Sequence, residues 1–275
     1  MKLNAHTKLL ALFGWPVEHS LSPDMHNAAF EEKGLNYCYL AIPVRPEALA
    51  DAVRGVRAWN VRGVNITVPH KEKVIPFLDE LDKEAQFIGA VNTIVNNEGK
   101  LKGYNTDGRG FMQSLKEENI QVKGKNVLIL GAGGGSRAIS YYLSQEAKRL
   151  SIYDIDREKL NALVRDLKKI RENVRAVEGM DSIKEEHVVI NATPLGLKES
   201  DPLPLDPSLL NGDVVVGDLI YRETPFQKKA REMGLKTFNG LGMLLWQGVL
   251  ASELWTGMRP PSETMRKALL RGMTK

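Results

Sequence analysis

Apolar residues recur along this chain at two spacings, and the spacing alternates in regular order. Leu9 to Phe13 is a compact apolar run stopped by Gly14-Trp15-Pro16, which predicts a buried strand and a turn. Ser22 before Pro23, with Asp24 next, has the form of an N-cap opening a helix through about Lys33, closed by Gly34. Tyr37 to Val44 reads as a strand and Pro46 to about Val56 as a helix. Val64, Ile66 and Val68 then alternate with Asn65 and Thr67, the period of a strand with one apolar and one polar face, and Pro69 ends it. Lys71 falls in what the pattern makes the first turn of a short helix, His70 to Ile75. Strand, helix, strand, helix, strand predicts a parallel α/β unit.

After a charged segment the apolar run Ile88 to Val95, interrupted by Asn92, reads as a strand. A hairpin turn at Asn97-Glu98-Gly99 leads to Leu101–Tyr104, and Asn105-Thr106-Asp107-Gly108 resembles a cap for a helix from Arg109 to about Glu117. The polar stretch Asn119 to Lys125 separates this from a second unit. There, Asn126 to Leu130 is an apolar strand feeding Gly131-Ala132-Gly133-Gly134-Gly135-Ser136-Arg137, and a helical pattern runs from Ala138 to Ala147. Leu150–Tyr153, His187–Ile190, Val214–Gly217 and Lys236–Phe238 read as further short strands, with a helix after Pro225. Leu241, Leu244, Leu245, Val249 and Leu250 mark one face of a late helix, with Gln247 on another side. The fold class predicted is α/β, as two α/β domains.

Composition agrees and excludes a good deal. At 275 residues, 43% hydrophobic and 26% charged, the chain has material for a core in each of two domains. The net charge of +4 is spread among interleaved acids, so no polybasic patch argues for nucleic acid. The most basic part, Arg259 to Lys275, carries Met265, Leu269, Leu270 and Met273 at helical spacing and reads as a solvated helix face. Cys38 is the single cysteine; it permits no internal disulfide and fits a small core residue in a reducing cytoplasm. The first residues lack a signal-peptide core and no apolar run approaches membrane-spanning length, so a cytoplasmic protein with no membrane partner is expected. His6, His19, His26, His70 and His187 are scattered without metal-ligand spacing, and no metal is expected.

Several stretches carry candidate chemistry. A strand feeding a glycine-rich turn that opens a helix is the context of a dinucleotide fingerprint. Gly131 suits the tight turn and Gly133 the approach of a pyrophosphate, while Ser136 stands where a third glycine is usual. Asp154 follows the next strand, at the place of an acid that accepts ribose hydroxyls. Ser20 and Ser22 flank a helix start and are placed to grip a carboxylate, although simple capping accounts equally for Ser22. Lys71 is a cation at the positive end of a short helix, which disfavours its protonated form and suits a proton donor; a solvated lysine beside Glu72 and Lys73 is the plainer account. Asp107 reads as a helix cap or as a second polar group of a site.

Taken together, these motifs resemble those of shikimate dehydrogenases. The matching stretches are Glu18-His19-Ser20-Leu21-Ser22-Pro23, Asn65-Ile66-Thr67-Val68-Pro69-His70-Lys71-Glu72, Gly89-Ala90-Val91-Asn92-Thr93, Asn105-Thr106-Asp107-Gly108, Gly131-Ala132-Gly133-Gly134, Asn191-Ala192-Thr193-Pro194 and Gly240-Leu241-Gly242-Met243-Leu244 with Gln247. The resemblance runs in register over nearly the whole chain. It implies reversible reduction of 3-dehydroshikimate by a nicotinamide cofactor, with Lys71 and Asp107 as the catalytic pair. It implies that Ser20 and Ser22 hold the substrate carboxylate and that Asn65, Thr67, Asn92, Tyr221 and Gln247 contact the substrate. It places the cofactor on Gly131, Ala132, Gly133, Gly134, Gly135, Ser136, Arg137, Asp154, Arg157, Thr193, Leu219, Gly240 and Met243. Residues 1–108 plus 240–275 form the substrate domain by this resemblance, and 109–239 the Rossmann-type domain, with a cleft between them. A monomer or homodimer is expected.

Two departures bear on the expectation. NADP-using members carry Asn-Arg-Thr where this chain has Asp154-Ile155-Asp156. Two carboxylates there repel a 2′-phosphate, with Arg157 as the only compensation, so NADP is the family default and NAD is expected to serve at least as well. The loop Tyr221-Arg222-Glu223-Thr224-Pro225 also looks shorter than the family's. An NAD-linked quinate/shikimate dehydrogenase is the nearest alternative. A methyltransferase using S-adenosylmethionine or a non-catalytic ligand-binding homologue lies further off: the first leaves the N-terminal motifs unexplained, and the second would have no need of both Lys71 and Asp107.

Overall fold

In the computed structural model, residues 3–179, 183, 185–210 and 212–274 are described. The chain divides into two compact units, Met1–Thr106 with Leu245–Lys275, and Asp107–Leu244. Asp107 thus opens the second unit, and the later boundary falls inside a helix.

The first unit is a six-stranded mixed sheet. Its strands are β1 (Lys8–Gly14), β2 (Tyr37–Pro43), β3 (Gly63–Ile66), β4 (Glu80–Leu81), β5 (Thr93–Asn97) and β6 (Lys100–Tyr104), in the order β2-β1-β3-β5-β6-β4. β1 pairs parallel with β2 and β3, whereas β5 runs antiparallel to both β3 and β6. The hairpin turn forms because Glu98 and Gly99 take φ of 53° and 91°, the positive values that match the twist of the strands. Period-2 burial divides β1 between two cores. Leu10 and Leu12 join Phe30, Tyr39 and Trp255 on one face, while Ala11 and Phe13 join Val53, Val56, Val64 and Ile66 on the other. The helices of this unit are α1 (Ser22–Glu32), α2 (Leu49–Ala58) and α3 (Lys83–Ile88).

Several expectations are corrected here. Leu21, not Ser22, sits at the N-cap of α1, and no side chain caps that helix; Ser22 is its first residue and its N–H donates to Ser20 Oγ at 3.3 Å. The strand through Val64 stops at Ile66, with Val68 69% exposed beyond it. Both faces of β3 are buried, so the alternation marks packing against two layers and not a solvated face. The expected helix over His70–Ile75 is a single turn closed by the Val74 N–H to the His70 carbonyl, followed by a 3-10 turn at Ile75–Phe77. With no run of aligned peptides, the dipole argument for Lys71 loses its basis. The apolar stretch from Ile88 is not one strand. Its start ends α3, Gly89 closes that helix with φ 71°, and β5 begins only at Thr93. Short apolar runs do not distinguish a buried helix end from a strand.

The second unit holds α4 (Asp107–Glu117), β7 (Asn126–Leu130), α5 (Gly134–Glu146), β8 (Arg149–Tyr153), α6 (Arg157–Lys168), β9 (Val174–Ala176), β10 (Val188–Asn191), β11 (Val215–Asp218), α7 (Pro225–Glu232) and β12 (Lys236–Phe238). All neighbours in its sheet pair in parallel, in the order β12-β11-β10-β7-β8-β9. Read from β9, this is the doubly wound 3-2-1-4-5-6 order, whose direction reverses between β7 and β10. The strands are short and buried on both faces, as a parallel sheet between helices requires. α7 begins with a complete capping box, Thr224 with Gln227, which explains why the chain turns into a helix directly after a short loop. α5 starts at Gly134, four residues before the expected Ala138, because the glycine run is itself the first turn. Finally, α8 (Leu241–Thr256) passes from the second unit to the first after Leu244, and α9 (Ser262–Met273) packs on α1. Among described residues no helix is long and apolar enough to cross a membrane.

Candidate active site

Within the first unit the structure brings Asn65, Asn92 and the main chain of Gln247 onto one buried run of hydrogen bonds. Asn65 donates from Nδ2 to the Asn92 carbonyl and to Thr93 Oγ1, each at 3.0 Å, and its Oδ1 accepts from the Tyr39 hydroxyl at 2.7 Å. Burial pushes that phenol well above the ordinary tyrosine range, so it stays protonated. Thr93 Oγ1 donates to Asn92 Oδ1 at 3.0 Å, and Asn92 Nδ2 donates to Thr106 Oγ1 at 3.0 Å. Asn92 Oδ1 also accepts from the Thr106 N–H at 2.8 Å, and Thr106 Oγ1 donates to the Gln247 carbonyl at 3.1 Å. Tyr39, Thr93 and Thr106 are linking residues that sequence reasoning missed. Each looks like ordinary strand or turn material, and only the sheet register brings them together.

Ser20 is half-buried and its Oγ accepts the Ser22 N–H at 3.3 Å, while Ser22 is itself buried in the first turn of α1. Thr67 leaves the sheet edge where its N–H bonds the Phe13 carbonyl at 2.9 Å, and its side chain lies over Gly14, where an added Cβ would come 2.3 Å from Thr67 Cγ2. Lys71 is half-buried, and its backbone is anchored by the Val91 N–H to its carbonyl at 2.8 Å, next to Asn92. His70 is fully buried and its Nε2 lies 2.7 Å from the Val44 carbonyl, so it donates there and fixes the turn that carries Lys71.

Within the second unit the glycine-rich turn sits at the carboxyl end of β7, beside the switch point with β10. Gly131 takes φ 107°, and a Cβ there would lie 2.9 Å from the Ala192 carbonyl oxygen after β10, so only glycine fits. Gly133 is the N-cap of α5, and nothing lies within 4 Å of where its Cβ would be. No side chain caps α5 and no acid occupies its first turn, which leaves N–H groups and the positive helix end for an anion. Ser136 is fully buried, with no partner for its hydroxyl among described residues. It occupies the position where a third glycine permits close helix–sheet packing, and a small side chain meets that need.

Asp154 follows β8, and its carboxylate bridges the site. Oδ2 accepts the Ala132 N–H at 2.6 Å and Oδ1 the Asp156 N–H at 2.7 Å. Ile155, between them, is 87% exposed. Asp156 caps α6 through the Lys159 N–H and is ion-paired with Lys159. The Arg157 guanidinium donates to the carbonyls of Val177 and Glu178, at 3.4 and 3.0 Å, and Arg137 pairs with Asp166 at 3.1 Å. Both arginines expected at the cofactor therefore have protein partners. Gly135 approaches Leu219, and Gly240 lies so close to the Leu219 carbonyl that a Cβ would be 2.0 Å away. Thr193 Oγ1 donates to Asn191 Oδ1 at 2.6 Å. Met243 is half-buried in the first turn of α8, and Tyr221 lies in the loop after β11, also in this unit. Asp218, unremarked in the sequence, is fully buried at the end of β11. It accepts from Asn191 Nδ2, Thr224 Oγ1 and the Ile220 N–H at 2.9–3.0 Å, tying two loops at the strand ends; burial raises its carboxyl above the usual range.

A parallel sheet in this order, with a glycine-rich turn opening a helix at its switch point, is a Rossmann-type dinucleotide-binding unit, and it is joined to a mixed α/β unit with a buried polar run. That is the build of a two-domain α/β oxidoreductase. Residues 12–94 match the family model of the shikimate dehydrogenase substrate binding domain, and residues 240–270 that of the shikimate 5'-dehydrogenase C-terminal domain. The shikimate dehydrogenase (NADP(+)) of Carboxydothermus hydrogenoformans is 46% identical over 276 residues, covering 98% of this chain and 99% of that protein. The solved shikimate 5-dehydrogenase of Thermus thermophilus, in complex with NADP(H) and shikimate, matches with TM-score 0.89 and 38% identity over 97% of this chain and 100% of that one. That of Listeria monocytogenes, in complex with shikimate and NAD, matches with TM-score 0.90 and 36% identity over 97% and 98%. The chain belongs to the shikimate dehydrogenase family.

Proposed function

We propose that the protein catalyses the reversible reduction of 3-dehydroshikimate to shikimate with NADP(H), a step toward aromatic amino acids, in the cytoplasm. The observation that carries this reading is near-complete coverage at 46% identity with a protein named for that activity. The nicotinamide, when bound, supplies or accepts the hydride. The α5 N-terminus at Gly133–Ser136 receives the pyrophosphate and Asp154 the adenosine ribose. The substrate domain is the first unit, where Ser20 and Ser22 hold the carboxylate, Thr67, Asn92 and Gln247 meet the ring hydroxyls or the carboxylate, and Asn65 contacts the substrate as well. Tyr221 also contacts the substrate. In the reductive direction charge develops on the carbonyl oxygen, and Lys71 delivers the proton there; Asp107 is its partner in the pair, and the roles reverse in oxidation. Cys38 is buried, in keeping with a reducing compartment.

NADP stands as the cofactor because the relatives are named for it. NAD is a rival through Asp154 and through the partners already held by Arg157. A spectrophotometric assay with shikimate and quinate, each against NADP and NAD, tests the whole reading. Shikimate turnover with NADP is expected; turnover of quinate alone would make it a quinate enzyme, and no turnover of either would refute it.

A further inference from the structure

Asp218 lies outside every motif that suggests a site, yet its carboxylate closes a buried network across the ends of β10 and β11. The two strands pair in parallel with Asn191 opposite Asp218, and both side chains are fully buried. The polarity of the network follows from donor counting. Asn191 Nδ2 gives one proton to the Leu195 carbonyl at 2.9 Å and the other to Asp218 Oδ2 at 3.0 Å. Its Oδ1 accepts the Thr193 N–H at 3.0 Å and the Thr193 hydroxyl at 2.6 Å, and Thr193 Oγ1 in turn accepts the Leu195 N–H at 3.1 Å. Asp218 Oδ1 accepts the Ile220 N–H at 2.9 Å, and Oδ2 takes a second proton from Thr224 Oγ1, also at 2.9 Å. The Ile220 N–H is a fixed donor, and Asn191 cannot turn its oxygen toward Asp218 without setting its NH2 against the Thr193 N–H. An amide at position 218 would therefore face a donor with a donor; a carboxylate, which only accepts, closes the network.

What this network holds is one side of the cofactor crevice. In a doubly wound sheet a dinucleotide lies across the carboxyl ends of the strands at the switch point, here between β7 and β10. With the adenosine ribose on Asp154 at the end of β8, the other half of the molecule falls on the loops after β10 and β11. Those are the loops that Asp218 joins, and all of these residues belong to the second unit. The first loop abuts the glycine-rich turn through the Ala192 carbonyl at Gly131, and at Gly196 a Cβ would lie 3.0 Å from Thr224 Cβ. The second carries Leu219, whose N–H donates to the Asn191 carbonyl at 2.9 Å, and Ile220, whose carbonyl accepts the Gly240 N–H at 3.1 Å. We propose that Asp218 is a positioning residue whose carboxylate locks these two loops into the shape that receives the nicotinamide half of the cofactor, with no part in holding the adenosine half. The inference rests on the functional reading above.

The test is Asp218→Asn, which keeps the side chain's shape and replaces an acceptor by a donor. Calorimetric titration of the full chain compares NADP with 2′,5′-ADP, which carries the adenosine half and no nicotinamide, and NAD with ADP on the same ground. The Kd for each dinucleotide should rise about tenfold while that for its fragment stays within about twofold, since a network of hydrogen bonds to a charge fails on one side of the crevice only. NADP and NAD should weaken by the same factor, because they share the nicotinamide half; a change at Asp154 would instead alter their ratio. Thr224→Val removes one of the donors and should show the same split in smaller measure, and Thr224→Ser, which keeps the hydroxyl, should restore the wild-type values. That pair carries the test should Asp218→Asn not accumulate as folded protein. A merely structural aspartate would lower the melting temperature without separating dinucleotide from fragment. Equal weakening of the two, or no change in either, overturns the inference while leaving the activity in place. Failure of the wild-type protein to bind NADP or NAD overturns the functional reading and this inference with it.

Discussion

Lowering the pH from 7 to 5 should destabilise the first unit through one residue, His26. Its imidazole is fully buried between Phe30, Tyr39 and Trp255, with neither nitrogen hydrogen-bonded among described residues. Gly248 lies on the Nε2 side of the ring, and none of these groups carries a charge. Desolvation pulls its pKa down to about 3. In the unfolded chain the same group titrates near about 6.5, so between these values only the unfolded state takes up the proton. A depressed pKa means stability that is full above the unfolded value and is lost as pH falls toward the folded one. At pH 5 the group lies about 1.5 units below its unfolded pKa, and at about 1.4 kcal/mol per unit this is a loss of about 2 kcal/mol relative to pH 7. All four tryptophans, Trp15, Trp59, Trp246 and Trp255, lie in the first unit, so tryptophan fluorescence during urea unfolding reports that unit. Wild type should lose about 2 kcal/mol more than His26→Gln over this interval, a double difference that cancels every other titrating group and the variant's own baseline stability. A difference below about 0.5 kcal/mol would mean that His26 is protonated or solvated in the folded protein, and the burial argument would fall.

Three further outcomes are expected. Lys71→Ala should lower kcat by ~10²–10⁴-fold with little change in KM; Asp107→Asn should lose a comparable amount and the double variant far less than the product, and near-normal kcat in single turnover would remove Lys71 from the chemistry. Asp154→Ala should move the ratio of kcat/KM for NADP over NAD at least about tenfold toward NADP, because like charges at about 4 Å cost on the order of 4 kcal/mol at an effective dielectric near 20. An unchanged ratio at fixed ionic strength would show that Asp154 serves only the N–H groups of Ala132 and Asp156. Gly63→Ala places a Cβ 2.1 Å from Trp255 Nε1 and 2.7 Å from the Ile94 carbonyl, between the donor and acceptor of a 2.9 Å hydrogen bond. A loss of more than about 3 kcal/mol is expected, and a melting temperature within a degree of wild type would contradict that packing.

Much of this protein was legible from local pattern. The runs Leu9–Phe13, Asn126–Leu130 and Leu150–Tyr153 became β1, β7 and β8 because a short apolar stretch between turn residues has few other ways to bury itself. The glycine-rich turn was readable for a similar reason: the positive φ at Gly131 and the close approach at Gly240 are demands on single positions, and glycine answers them locally. Where elements began and ended was less legible. The pattern through Ile88–Val95 conceals a helix end and a left-handed glycine, and that through Val64–Val68 runs past the true end of β3, since side-chain period says nothing about which backbone groups find a partner. The site depended most on tertiary structure. Asn65 was marked by motif, but Tyr39, whose phenol donates to its side chain, comes from β2, the sheet's edge strand on the far side of β1 from β3. Likewise Asp154 was marked as a ribose acid, but its bond to the Ala132 N–H exists only because β7 and β8 pair in register and bring their carboxyl ends together. Hydrogen bonds between residues distant in sequence depend on strand order and register, and those are properties of the packed sheet, not of any one segment.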